Sequence, residues 1–225
     1  MPLKRHYFDF QAQTGNQVTP DEVDQYTVYD VVHPAISATY IGSATAGTVS
    51  QVVAVGLAAV TPDYPRNLRA TFTGSAALSG TVAVVGVNQF GATITENFGL
   101  AQGTQIIGTA NGTQIFSRVN SATATFGTGA IGTGTVSLGL PIAGTACRFG
   151  LPVKIGSTND LKRLTWTNGG LAVAVNGGTI STDYVSTTNH SFAGTATLAG
   201  TMSYQVWVKS TYKAKGDSMA TISAL

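Results

Sequence analysis

The sequence predicts an all-β protein, an antiparallel β-sandwich or barrel of jelly-roll-like type with an extended N-terminal arm. Three observations lead there. Short runs alternate apolar and polar residues with a period of two. Thr, Val, Ala and Ser fill those runs, and glycine-containing turns separate them. A helical period is almost absent, with residues 217–225 the one stretch that could form a helical tail.

Taken in order, residues 1–35 read as the arm. They hold Asp9, Asp21, Glu22, Asp24 and Asp30, half of the ten acidic residues, and the aromatics Tyr7, Phe8, Phe10, Tyr26 and Tyr29. Residues 11–20 have no consistent period, and Thr19-Pro20-Asp21-Glu22 suits a short helical turn with Thr19 as N-cap and Pro20 at the first helical position. Exposed aromatics with few local partners suit a segment lying on a neighbouring subunit; packing on its own domain explains them equally well.

Strands are expected at 37–41, 51–58, 67–73, 81–87, 93–100, 114–119 and 122–126, then at 135–138, 148–155, 163–167, 171–175, 191–198 and 204–209. The clearest hairpin joins 81–87 to 92–98 through Asn88-Gln89-Phe90-Gly91, where Asn88 and Gly91 tolerate the positive φ of a tight turn. Its first arm puts Val82, Val84 and Gly86 on one face; its second alternates Ile94, Glu96 and Phe98 against Thr93, Thr95 and Asn97. Pro141, Gly144, Gly150 and Pro152 mark a seam that divides a first β unit, 36–140, from a second, 141–225, with one continuous domain as the other option. Gly-Thr dipeptides recur from Gly47 to Gly200 at irregular spacing, so they read as turns feeding strands and not as a solenoid repeat.

Only 10% of the 225 residues are charged, while 43% are hydrophobic, which separates the chain from disordered sequences. So few charges leave the surface either covered by partners or coated in Thr, Ser, Asn and Gln. The net charge of +2 and the scattered groupings Arg66/Arg69, Lys162/Arg163 and Lys209 to Lys215 do not make a nucleic-acid footprint, so they are expected to be solvated spots. No apolar run reaches the length of a membrane span, and the start has no apolar core of a signal peptide, so no membrane partner is expected. Cys147 is the single cysteine, which suits a reducing compartment and a small buried apolar role.

The chemistry-bearing residues do not form a recognisable set, and no catalytic, cofactor-binding or metal residues are expected. His6, His33 and His190 lack a metal spacing. Asp63, Glu96, Asp160 and Asp183 are the only carboxylates between Val31 and Gly216 from which an acid/base pair could come, and Glu96 reads as a solvent-facing or subunit-facing strand position. Gly127-Thr-Gly-Ala-Ile-Gly132 matches a dinucleotide fingerprint but runs on into a strand, so it reads as a turn. Asn111-Gly-Thr113 and Asn189-His-Ser191 fit a glycosylation sequon, which has no weight without a secretory leader. Trp166, Trp207, Tyr204 and Phe192 could form a sugar platform; aromatics in strands are more often core.

Several stretches carry a resemblance of texture and order. They are Tyr64-Pro-Arg-Asn-Leu-Arg69, then 80–96 with its Gly turn and Ile-Thr-Glu strand, 112–123 with Phe-Ser-Arg-Val, 134–139, Phe149-Gly-Leu-Pro152 and 183–207. Together they resemble virion structural proteins of tailed bacteriophages, particularly head decoration, cement or auxiliary capsid proteins. The resemblance implies a virion location after synthesis in the host cytoplasm. It also implies contact with the major capsid protein and with copies of the chain, trimers being a frequent arrangement, and no catalytic residues. Two other readings stay open: a tail component (a tube subunit extending by β-augmentation through the arm, or a receptor-binding adhesin using Trp166), and a carbohydrate-active enzyme on a β-sandwich.

Overall fold

The computed structural model describes residues 5–8, 25–32, 34–35, 37–46, 51–74, 80–99, 107–127, 134–141, 146–168, 171–177, 185–194 and 202–210. Seventeen strands occur among them, all paired antiparallel, and two hydrophobic cores. The chain is all-β, as the alternating runs predict.

The first unit contains β3 (Gly42–Ala46), β4 (Val52–Ala54), β5 (Gly56–Leu57), β6 (Arg69–Gly74), β7 (Gly80–Val87) and β8 (Thr93–Gly99). It continues with β9 (Ile107–Asn111), β10 (Arg118–Phe126) and β11 (Gly134–Gly139). One sheet runs β5-β3-β11-β6-β9 and the other β4-β10-β7-β8. Because β4 and β5 are two halves of one strand that changes sheet at Val55, the unit has eight successive strands. The first, eighth, third and sixth make one sheet; the second, seventh, fourth and fifth make the other. That is the order of a jelly roll.

Side-chain alternation explains the packing. Val82, Val84 and Gly86 of β7 point inward, as do Phe98 of β8 and Ala122, Ala124 and Phe126 of β10. They meet Ala70, Phe72, Val136 and Leu138 of the facing sheet. The β4–β5 strand crosses between sheets at a point of close backbone approach: a Cβ on Gly42 would collide with the carbonyl of Gly56.

The second unit has β1 (Arg5–Phe8), β2 (Gln25–Val32), β12 (Arg148–Gly150), β13 (Leu161–Asn168) and β14 (Leu171–Gly177). With them are β15 (Val185–Ser186), β16 (Ser191–Ala193) and β17 (Met202–Ser210). The sheets are β1-β2-β17-β13-β14 and β12-β16-β15. Between them lie Tyr29, Val31, Phe149, Phe192, Tyr204 and Val206; the Phe149 and Phe192 rings stack at 5.4 Å and Tyr204 closes on both. Leu161 and Leu164 both reach this core although three residues apart, because the register shifts between Leu161 and Arg163.

Several expectations are corrected. Residues 25–32, read as part of an arm, are a strand held between β1 and β17, with Tyr29 and Val31 in the core, so the first unit is inserted within the second. Residues 37–41 form a turn leading into β3. The runs 114–119 and 122–126 overlap one strand, β10, bent by a bulge between Val119 and Ser121. Strand β12 stops at Gly150, before Pro152, which has no backbone donor for a ladder. The helical readings at 19–22 and 217–225 fall outside the described residues. Where the chain enters β13, a single 3-10 turn, Thr158–Asp160, is capped reciprocally by Ser157 and Asp160.

Candidate functional site

The two units meet along a seam built by three short segments. The first is Asp63 to Asn67, which enters β6. Arg66 forms isolated bridges with Phe116 on one side and Phe149 on the other, so its backbone belongs to both units. Its side chain is fully buried, contrary to the expectation of a solvated basic spot. Nη1 donates to the carbonyl of Ala35 at 3.0 Å and to Asp63 Oδ1 at 3.2 Å. Nη2 donates to the carbonyl of Pro141 at 2.9 Å and to Cys147 Sγ at 3.1 Å. The guanidinium also lies 4.8 Å from the Phe149 ring centroid. A planar fork with five donors is what such divergent acceptors require, and lysine could not serve them.

Asn67 completes this lock. Its Nδ2 donates to the carbonyls of Gly112 and Ala146, and its Oδ1 accepts from the Arg148 amide. Burial pushes the Cys147 thiol pKa up, against the opposing pull of Arg66. The thiol is a packed apolar group with a weak acceptor sulfur, as its sequence setting predicts.

The second segment is the tip of the β7–β8 hairpin. Gly91 takes φ +86° as expected, whereas Asn88 does not take a positive φ and serves the turn through its side chain, Oδ1 accepting from the amides of Phe90 and Ala92. The tip docks on the turn before β16: Gln89 Nε2 donates to the carbonyl of Asn189, and the Phe90 and His190 rings meet edge-on at 5.4 Å. His190 sits at φ +46°, with Nδ1 accepting from the Ile155 amide. Burial lowers its pKa, helped by the charge of Lys154.

The third segment lines an open cleft of about 470 Å³ between the units. Thr113 comes from the first unit; Arg148 and the run Val185 to Asn189 come from the second. Asn189 Nδ2 donates to the Thr113 carbonyl across it. Behind Thr113 sits Glu96, whose Oε1 accepts from the amides of Thr113 and Gln114. Glu96 is therefore a partly buried clamp between β8 and the β9–β10 loop, not a solvent-facing position. Burial raises its carboxyl pKa, and those backbone donors only partly offset the rise. Hydroxyls, an amide and one guanidinium can hold a polar group in the cleft by hydrogen bonds.

The other singled-out residues go elsewhere. Asp63 accepts from the Ala35 amide as well as Arg66, and Asp160 accepts from the amides of Gly156 and Ser157, so both serve local structure. Tyr204 and Phe192 are core and Trp166 packs against it, while Trp207 lies half-buried with Arg163 beside its ring at 5.9 Å. These four aromatics form no common platform. The His6 and Asp183 side chains, His33, and positions 128–132 of the glycine-rich run lie outside the description. Among the described residues no group of three His, Cys, Asp or Glu side chains could hold a metal ion, and no helix is long and apolar enough to cross a membrane. Sequence reasoning missed the cleft and the Arg66 lock because each gathers segments far apart in sequence, 76 residues between Thr113 and Asn189 and 81 between Arg66 and Cys147. Compared with models of known families, with curated proteins and with solved structures, the chain matches none of them.

Proposed function

We propose that this chain is a structural protein of a tailed-phage virion, a decoration or cement protein that covers junctions between major capsid protein subunits. The observation that carries the reading is a jelly-roll unit, in a chain with few charges, whose edge strand β8 presents Thr93, Thr95 and Asn97 and which is fixed to a second β unit by a buried lock. Jelly rolls serve capsid and lectin domains alike, so the architecture supports the reading by analogy and the surface supports it by chemistry. Such a protein acts by burying area: each Å² of apolar surface removed from water at a shell junction stabilises it by about 25 cal/mol. A body whose two halves are locked transmits that gain to the shell without spending it on internal rearrangement.

Light scattering and sedimentation of the purified chain, alone and mixed with shells lacking it, test the proposal. Saturable binding to shells is the expected result. Growth into long tubes without binding to shells overturns it and moves the protein to the tail, the second reading, which the open edge of β8 favours.

A further inference from the structure

Strand β8 has unpaired backbone along one side. Among the described residues it is an edge strand, joined only to β7. The direction of its free groups follows from the neighbouring bonds. The Val87 carbonyl accepts from the Ser117 amide, on the β10 side, while the Asn88 amide donates to the Ala92 carbonyl. By alternation, Ile94, Glu96 and Phe98 turn their backbone groups toward β7, and Thr93, Thr95 and Asn97 turn theirs outward. The same three residues have exposed side chains.

Edges left in this state are normally blunted by Lys, Pro or a bulge. β8 has none of these: its register with β7 is unbroken over seven residues, and the exposed side chains are Thr, Thr and Asn. Its one charge, Glu96, faces inward and is held by Thr113 and Gln114.

We propose that β8 pairs antiparallel with β8 of a second copy about a two-fold axis, joining two four-stranded sheets into one of eight strands. Of the registers that bring outward backbone groups face to face, those centred on residues 95 and 96 overlap in full the part of β8 that holds Thr93, Thr95 and Asn97. Centring on residue 96 sets Glu96 directly opposite Glu96, and like charges opposed across a ladder are unfavourable. Centring on Thr95 sets Thr95 against Thr95, Thr93 against Asn97 and Ile94 against Glu96. The second register is selected. It makes about six backbone hydrogen bonds and, on the exposed face, uncharged, hydrogen-bonding pairs of Thr and Asn side chains. A three-residue strand such as β4, at the sheet's other edge, could not replace it. One strand pair buries less than the roughly 1,600 Å² of a standard stable interface, so the pairing fills at high local concentration, as on an assembly. In that respect it rests on the proposed structural role, with a second copy as the partner.

Residue-resolved amide exchange of the full chain, from micromolar to millimolar protein, tests it. Thr93, Thr95 and Asn97 amides are expected to gain protection with concentration, while those of Ile94, Glu96 and Phe98 stay unchanged. Thr95→Lys sets two ammonium groups together on the axis and should weaken self-association by more than about tenfold in sedimentation. Thr95→Pro removes the central donors without touching the β7 ladder and should do the same. No concentration-dependent protection at those three amides, or association that survives both variants, overturns the pairing; the wild-type exchange measurement decides even if a variant fails to fold. A non-pairing chain that still coats shells sinks this inference alone, and a pairing chain that ignores shells sinks only the virion reading.

Discussion

Nη2 of Arg66 lies 3.1 Å from Sγ of Cys147, deep in the seam where the jelly-roll unit meets the second β unit. The contact joins residues from the two sides of that seam, and around it the same guanidinium serves two carbonyls and a carboxylate.

Arg66→Met should therefore be costly although methionine packs well. It leaves Asp63 without its cation and the Ala35 and Pro141 carbonyls without their donor. Each buried acceptor left unsatisfied costs about 1–3 kcal/mol, while Asp63, exposed at the surface, loses only a partly screened ion pair. Urea unfolding followed by tryptophan fluorescence is the check, since Trp166 and Trp207 both report on the second unit. A loss below about 1 kcal/mol, the scale of an exposed ion pair, would show that the lock does not hold the units together.

Cys147 should resist thiol reagents in the native protein. Its side chain is fully buried and its pKa is raised by that burial, so neither access nor thiolate is available. Labelling at neutral pH is expected to follow the unfolding rate, and to accelerate in Arg66→Met. Stoichiometric labelling of the folded wild type within seconds would contradict the packing at the seam.

Glu96 predicts a pH dependence of stability. Burial holds its folded pKa above the ordinary carboxyl value, so the folded chain keeps this proton to higher pH than the unfolded chain does. The group's contribution is most favourable below its unfolded pKa and is lost as pH rises through its folded pKa. Glu96→Gln keeps an acceptor for the Thr113 and Gln114 amides and removes the charge. Denaturant midpoints measured from about pH 4 to pH 8 should fall more steeply for wild type than for Glu96→Gln, which should be the more stable at neutral pH. Parallel profiles would mean that the carboxylate is solvated after all.

The strands were legible wherever one face is buried and the other wet. In β7, alternating Val82, Val84 and Gly86 fixed the inward face, and Asn88 with Gly91 fixed the turn. Period two says nothing about which strands pair over long distances, so β2 read as an arm although its partner is β17. Strand β9, Ile-Gly-Thr-Ala-Asn, gives too little apolar contrast to register as a strand at all. Arg66 misled for a different reason. Of its acceptors only Asp63 is near in sequence; those that make its burial tolerable come also from Ala35, Pro141 and Cys147, which only the tertiary fold assembles.

The insertion of one unit within the other has a consequence for synthesis. Strand β2 leaves the ribosome long before its partner β17; Asp30 and Gln205, which bond side chain to side chain, are 175 residues apart. All strands of the jelly roll lie between them, so that unit can close while β2 still waits with Tyr29 and Val31 uncovered. Completion of the second sheet thus waits on a long-range event, and a product stalled before β17 exposes an adhesive apolar strand.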